Sequence, residues 1–463
     1  MSAPTNAGRA DARRENFIPF TRSTVVKMCL QDGTLSAEQQ QAFRELCEIL
    51  TAWNHFDFLQ VWEAVREHYG PFDPDRDTIC LEQPESLAHH EKSMVELFRS
   101  VAERANYFEV SEGTIEECFH KKTLIDLSTF VDLQDFERVL CFARGDVHST
   151  TAVKKWFRTR KVDVDVLKRV VLLLKFRDEQ YFRSSGKKEK QLAEGSFQPG
   201  AVYAWLYRDV PKFDLELLFP NVQIGMNLRQ KLMFAVPVLG GSIAVLLKTL
   251  PQLLIIAALI LFLVGGTEWL NRTGVDQQQV THVMPVVTSS LALGVALGGF
   301  AVRQWGNFRR KQLKFLKDVG EQLFFRHLAT NRAAFARLIE SAQEEEAKEM
   351  ILVLFHLLKN RGTDLTAQGL DESIERWMHD RFQTKMDFDI NGPLRRLTAL
   401  SAPDQNGREI RMLQTDESGH LKVASINEVK YVFDHLWDNA YHYTSTAPDG
   451  PEPASNAENQ NGT

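Results

Sequence analysis

No CxxC pair, no GxSxG elbow and no complete phosphate-binding glycine loop occurs in the 463 residues. The five cysteines, Cys29, Cys47, Cys80, Cys118 and Cys141, are odd in number and widely spaced, and all lie in the N-terminal part. Neither a disulfide framework nor a zinc site follows from them, and reduced thiols used as small apolar side chains are expected. The GKK at 186 to 188 lacks the first glycine and the final hydroxyl residue of GxxxxGK[ST]. His89 and His90 adjoin Glu91, but neighbours on a helix diverge by about 100° and cannot chelate one metal. Cys118 lies two residues from His120 without a further pair to complete a ligand set, and His148 beside Ser149 has no triad partners that sequence order reveals. No catalytic residue, cofactor or metal is therefore implied.

A positive charge excess is also missing. Lys and Arg total 55 against 61 Asp and Glu, a net charge of -6, so there is no general attraction to nucleic acid or anionic membranes. The first sixteen residues lack the apolar core of a secretory signal, and Asp11 and Glu15 stand among Arg9, Arg13 and Arg14 where a transit peptide would be poor in acids. A disordered leader is expected at 1–16, and a disordered tail at 446–463, where Pro, Gly, Asn and acids leave little to bury.

Between these ends the pattern is mixed α and β. Residues 17–75 read as a helical subdomain, with Ser36 as N-cap and Phe43, Leu46, Cys47 and Leu50 on one face. A helix with Leu87, Met94, Leu97 and Val101 on one stripe follows, and then YFEVS, FERVLCFARG, RVVLLLKFRD and AVYAWLYRDV read as short strands with room for helices or crossings between them. The expectation is an α+β domain over 76–231. Residues 303–445 read as a mostly helical C-terminal domain. QLFFRHLATNRAAFARLIESAQEEEAKEMILVLFHLLKN breaks near Thr330, TAQGLDESIERWMHDRF is a further helix, MDFDINGPLRRLTAL is extended and then helical, and EIRMLQTDESGHLKVAS forms a hairpin around ESG. Helix, helix and hairpin in that order are winged-helix-like. Asp387 and Asp389 precede Arg395 and Arg396, so a protein rather than a nucleic acid is the expected contact there. The acidic run Glu344, Glu345, Glu346 and Glu349 beside Lys348 reads as a solvated helix face with local ion pairs.

What is abundant is apolar sequence in the middle. Residues 232–266 contain one charge, Lys248, in 35 positions, and 283–302 contain none in 20. A membrane span needs about 20 apolar residues. Two spans are expected, about 249–266 and 283–302, within a transmembrane region 249–302. Residues 232–248, broken by Pro237 and the Gly240, Gly241 pair, are then interfacial or re-entrant, and Lys248 marks the inner boundary. Charge arbitrates, because two crossings put Lys212, Arg229, Lys231, Arg303, Arg309, Arg310, Lys311, Lys314 and Lys317 on one side, where Lys and Arg favour the inside. A hairpin in which 232–266 crosses twice is the alternative. The basic residues from Arg229 to Lys317 also suit anionic headgroups, Ser290, Gly294 and Gly298 fall four apart as a helix-packing stripe, and Pro211, Asp214, Glu216 and Phe219 form a membrane junction.

Three stretches together resemble one family. They are ENFIPFTRSTVVKMCL, YRDVPKFDLELLFPNVQIGMNLRQKLMFAVPVLGG, and LFFRHLATNRAAFARLIESAQEEEAKEMILVLFHLL with LDESIERW and MDFDI. They are similar to the domain of unknown function 3754 family over about residues 15 to 440. The resemblance implies an uncharacterised integral membrane protein with large flanking domains, in a group that includes a human mitochondrial transmembrane protein, and it implies no activity. The expected role is a non-enzymatic membrane-anchored interaction or regulatory protein with both flanks on the cytoplasmic side. Membrane lipids and a protein partner or second copy are its expected contacts, and the bacterial inner membrane its expected place, with the mitochondrial inner membrane as alternative. An enzyme with its site in the α+β domain, or an oligomeric pore, are the alternatives in function.

Overall fold

Ser36 starts a long helix by exchanging hydrogen bonds with Gln39. Its hydroxyl accepts from the Gln39 N–H, and the Gln39 side chain accepts from the Ser36 N–H, which closes a capping box on α2 (Ala37–Tyr69). The computed structural model describes residues 17–79, 84–120, 128–155, 158–184, 197–225 and 323–440, together with separate helical positions between 292 and 321. These divide into two units, the first comprising the chain up to Val110 with Phe136–Asp209 and the chain from Leu328, the second Ser111–Asp135 with Val210–His327.

In the first unit, α1 (Arg22–Leu30), α2 and α3 (Pro84–Arg104) precede a five-stranded sheet in the order β1-β3-β4-β5-β7. Its strands are β1 (Phe108–Glu109), β3 (Phe136–Lys155), β4 (Arg158–Phe176), β5 (Val202–Pro211) and β7 (His327–Thr330). The sequence reading of FERVLCFARG and RVVLLLKFRD as short strands separated by a long crossing is corrected here. β3 and β4 form one antiparallel hairpin, in register from Arg138↔Lys175 to Lys155↔Arg158. The intervening KVDVDV alternates with the period of two that a strand requires. Gly145 has a φ of 74°, and a Cβ there would come within 2.8 Å of the Lys168 Cβ on the facing strand, so the hairpin needs glycine at that point.

β7 ends where α6 (Asn331–Lys359) begins, at the break expected near Thr330. Asn331 takes a left-handed φ of 48°, its Oδ1 accepts from the Ala204 N–H at 3.2 Å and its Nδ2 donates to Asp75 at 2.5 Å, which fixes the start of α6 to β5. After α6 come α7 (Ala367–Phe382), capped by Thr366, and α8 (Asn391–Ala399). Two small hairpins follow, β8 (Ser401–Pro403) with β9 (Glu409–Arg411), and β10 (Leu413–Thr415) with β11 (Leu421–Val423). The second is the one expected around ESG. Last comes α9 (Ile426–Asp438), started by a Ser425 and Glu428 capping box.

α6 runs through two cores. Its first half, with Phe335 and Leu338, packs among Phe58, Tyr69, Phe98, Phe142 and Val171 from α2, α3 and the sheet. Its second half packs with Val25, Phe43, Leu370, Trp377, Leu397 and Phe433 from α1, α2 and α7 to α9. Residues Ala347 to Leu357 are all buried, as expected of a helix surrounded on every side. The beginning and the end of the described chain thus share one core.

In the second unit, α4 (Glu112–His120) is accompanied by a two-stranded pair of β2 (Ser128–Phe130) with β6 (Gln223–Gly225) and a tight helical turn at Lys212–Leu218. Leu217 packs with Val222, Phe308 and Val319. Among the described residues no helix is long and apolar enough to cross a membrane. The span at about 249–266 lies outside the described residues, as does that at 283–302 except for single helical positions such as Val295, Gly298 and Val302, all exposed.

Asp32 joins helices of the second core across the chain. Its side chain is fully covered and takes hydrogen bonds from Lys359 Nζ and the Trp377 indole, both at 2.8 Å, and from Thr34 at 2.9 Å. Burial alone would raise its pKa, but the bonds from Lys359, Trp377 and Thr34 outweigh it and hold the carboxyl at about 2, below the ordinary 3.8. A lowered value contributes stability that is complete above the unfolded value and lost as pH falls through the folded one. That contribution is about 2 kcal/mol for a shift of this size. Urea unfolding between pH 5 and pH 2 is expected to show wild type losing about 2 kcal/mol more than Asp32→Asn. Parallel loss in the two proteins would contradict this account.

Candidate functional site

The acidic run on α6 is not a solvated face. Glu345, Glu346, Lys348 and Glu349 are all buried, at 4%, 6%, 3% and 6% exposure, and this corrects the reading from sequence. Their partners come from distant segments that no local window contains. The Ile18 N–H donates to Glu345 Oε2 at 3.1 Å, and Lys348 Nζ donates to the Ile18 carbonyl and to Glu345 Oε1, each at 2.8 Å. The FIPF segment is thereby held by its backbone on a buried ion pair. Beside it, Arg144 donates to the Ala105 carbonyl and to Ser341 and lies over the Phe17 and Tyr107 rings.

Glu346 is gripped by two arginines. Arg104 donates through Nε at 2.6 Å and Nη2 at 3.0 Å, and Arg396 Nη1 lies 2.8 Å from Oε2. Both guanidinium groups also reach Asp57, at 2.8 and 3.5 Å, so two cations are matched by two carboxylates. Arg104 further stacks on Phe58, 3.9 Å above the ring centre.

One turn along α6 stands Glu349, on the wall of a cavity of about 450 Å³ between α3, α6 and α8. Asn106 Nδ2 donates to its Oε1 at 2.7 Å, from a backbone with a φ of 60° at the end of α3. Burial drives the Glu349 carboxyl well above its ordinary 4.5, against the lowering effect of the Asn106 bond, and the charges of Glu345, Glu346 and Asp389 push the same way. Glu349 therefore holds its proton more tightly than an exposed glutamate does. Met350 and Pro393 give the cavity an apolar patch, and Glu103, Asp389 and Arg395 stand exposed around it.

The residues singled out from the sequence lie elsewhere. Pro211 ends β5, and Asp214, Glu216 and Phe219 are buried in and after the following turn. Arg326 holds Asp214 at 3.2 Å, and burial still leaves that carboxyl above its ordinary value despite the arginine. Arg303, Arg309, Arg310, Lys314 and Lys317 are exposed helical positions, with Arg309 over the Trp305 ring, and Gly298 is exposed as well. Arg229, Lys231, Lys248, Lys311, Ser290 and Gly294 lie outside the described residues.

One member of the histidine pair is turned inward. His90 is buried, and its Nδ1 lies 2.9 Å from His68 Nδ1 rather than in solvent. Among the described residues no group of three or more His, Cys, Asp or Glu could hold a metal. Cys29, Cys47 and Cys141 are buried, and burial pushes the Cys47 thiol up to about 12.

Removing one partner of a buried ion pair leaves a charge uncompensated, at a cost of about 3–5 kcal/mol. Glu346→Ala, which strands Arg104 and Arg396, is expected to lose that much in urea unfolding. Glu349→Gln replaces a carboxyl whose charged form the fold disfavours by a neutral amide of the same shape and is expected to stay within about 1 kcal/mol of wild type near pH 5. A raised folded value stabilises at low pH and is a liability as pH climbs above the unfolded 4.5, so the variant gains on wild type with rising pH. A constant difference across the pH range would show Glu349 to be ionised in the fold.

No solved structure matches the chain. A family model matches residues 167–333, a narrower span than the resemblance read from the sequence, running from β4 through β5 and the apolar region to the first residues of α6. The FIPF segment and the cavity around Glu349 fall outside it. Residues 167–333 match the model of the DUF3754 family, proteins of unknown function.

Proposed function

We propose that the chain is a membrane-anchored interaction or regulatory protein whose flanking segments form a single body on one face of a bilayer. The reading takes the face to be the cytoplasmic or matrix side of a bacterial or mitochondrial inner membrane. The observation that carries it is the adjacency of β5 and β7 in one sheet. Chain that leaves after β5 returns beside it, about 5 Å away, so any crossings between them are even in number. Two spans, at about 249–266 and 283–302, satisfy this with the basic residues Arg303, Arg309, Arg310, Lys314 and Lys317 on the side of the body. Exposed Trp305, Phe324 and Phe325 among these cations suit an interfacial segment. The winged-helix-like order of α7, α8 and the hairpin β10–β11 is read as a surface for a protein partner.

A second reading, an enzyme at the membrane surface, is favoured by the proton-holding Glu349 on a cavity wall. Its place is then among helices rather than in the sheet. Its mark is a rate that follows Glu349 ionisation and vanishes in Glu349→Gln while the fold stays intact.

Impermeant maleimide labelling in sealed vesicles of known orientation tests the anchor. Arg272→Cys is expected to label only from the face opposite the body and Lys314→Cys only from the face of the body, with the parent chain as background. Labelling of both from the same face would end the two-span reading.

A further inference from the structure

We propose that the helical stretch 302–326 lies along the bilayer surface and binds anionic phospholipid, with an apolar stripe among the acyl chains and a row of cations on the phosphates. The inference deepens the membrane-anchored reading and rests on it, because the stretch begins where the span at about 283–302 ends. Every described position from 302 to 326 is helical, so directions around the axis follow from about 100° per residue.

One side of the helix is taken by the protein itself. Phe308 and Val319 pack with Leu217 and Val222, and Arg326 holds Asp214, in the same turn as Leu217, at 3.2 Å. Phe308, Val319 and Arg326 fall within about 20° of one another around the axis. An apolar contact and an ion pair thus agree on which side faces inward. The other sides carry two unlike stripes. Trp305, Leu313, Leu316 and Phe324 are exposed and fall within about 100°. Arg303, Arg310, Lys314 and Lys317, exposed as well, fall within about 60°, beside that stripe and opposite the packed side. Arg309 stands within the apolar stripe with its guanidinium 5.5 Å from the centre of the Trp305 ring. An apolar stripe flanked by a basic one suits the boundary where acyl chains meet headgroups.

Charge selects the occupant. Six of the fifteen residues from Arg303 to Lys317 are Lys or Arg, and none is Asp or Glu. Among the described residues a single one of these cations meets a carboxylate, Lys317 with Glu321 at 3.8 Å, and both of those side chains are exposed. A second copy packed through the same stripe brings like charges together, which opposes association. A neutral leaflet accepts the apolar stripe and leaves the cations unmatched. Anionic headgroups satisfy both stripes at once, and each Lys or Arg near the surface adds to the attraction.

The test uses the full chain reconstituted into liposomes of phosphatidylcholine and phosphatidylglycerol in equal amounts. Spin labels on Leu313→Cys and on Val295→Cys, both exposed positions, report depth by their collisions with oxygen and with a water-soluble nickel chelate, the parent chain serving as background. Both labels are expected within the bilayer. Spin-labelled phosphatidylglycerol is expected to associate with the unmodified chain about threefold more strongly than spin-labelled phosphatidylcholine, and Arg303→Gln, Arg310→Gln, Lys314→Gln and Lys317→Gln together to abolish the preference. A Leu313 label in water with Val295 in lipid overturns the proposal and leaves the anchor standing, whereas both labels in water overturn the anchor with it. Equal association of the two lipids with the unmodified chain also overturns the proposal. So does dipolar broadening between Leu313 labels on neighbouring copies, which assigns the stripe to a second chain.

Discussion

Charges buried on one helix must be met by partners from far along the chain, and the first unit is arranged around that requirement. Glu345, Glu346, Lys348 and Glu349 occupy a single turn and a half of α6, away from water. An ion in such a place is tolerable only when paired and hydrogen-bonded. The partners are the backbone of Ile18, the side chains of Arg104 and Asn106 at the end of α3, and Arg396 on α8. The apolar run from Ala347 to Leu357 supplies most of the burial but is indifferent to rotation, since it is covered on all sides. The four polar groups remove that freedom. They set which residue of α6 faces which neighbour, as a buried polar group sets register in other helical assemblies.

Much of the helical framework was legible in short windows of sequence. Ser36 with Gln39, Thr366 and the break at Thr330 all announce helix starts through chemistry that acts within a few residues. The β3–β4 hairpin was only half legible, because its outer part alternates valine with charge and looks like a polar connection until its partner strand is known. The acidic run was misread for a related reason. EEEAKE satisfies the rule for exposed pairs three and four residues apart, and only the alignment of Glu345 with Leu338 and Ala342 betrayed burial.

The candidate site was the least legible part. Arg396 and Glu346 each looked like ordinary surface residues, and their meeting with Arg104 joins positions 242 residues apart. Glu349 carries no local sign of its environment at all. By contrast, the apolar stretches at 232–266 and 283–302 stand out in the sequence, because apolar length and loop charge are properties of composition that need no tertiary partner. The DUF3754 domain covers that part of the chain, whereas the cavity is built mainly from segments outside it.

The docking of Ile18 on Glu345 and Lys348 has a consequence for the order of events during synthesis. The contact spans 327 residues, and the whole apolar region lies between its ends. A nascent N-terminal segment therefore emerges with Val25, Met28, Phe43 and Leu46 ready for a core whose other half has not yet been translated. Its apolar face stays uncovered while the middle of the chain finds its place, a condition that invites misassembly. Completion of this fold is thus a late event, gated by translation of α6 rather than by the helices that begin it.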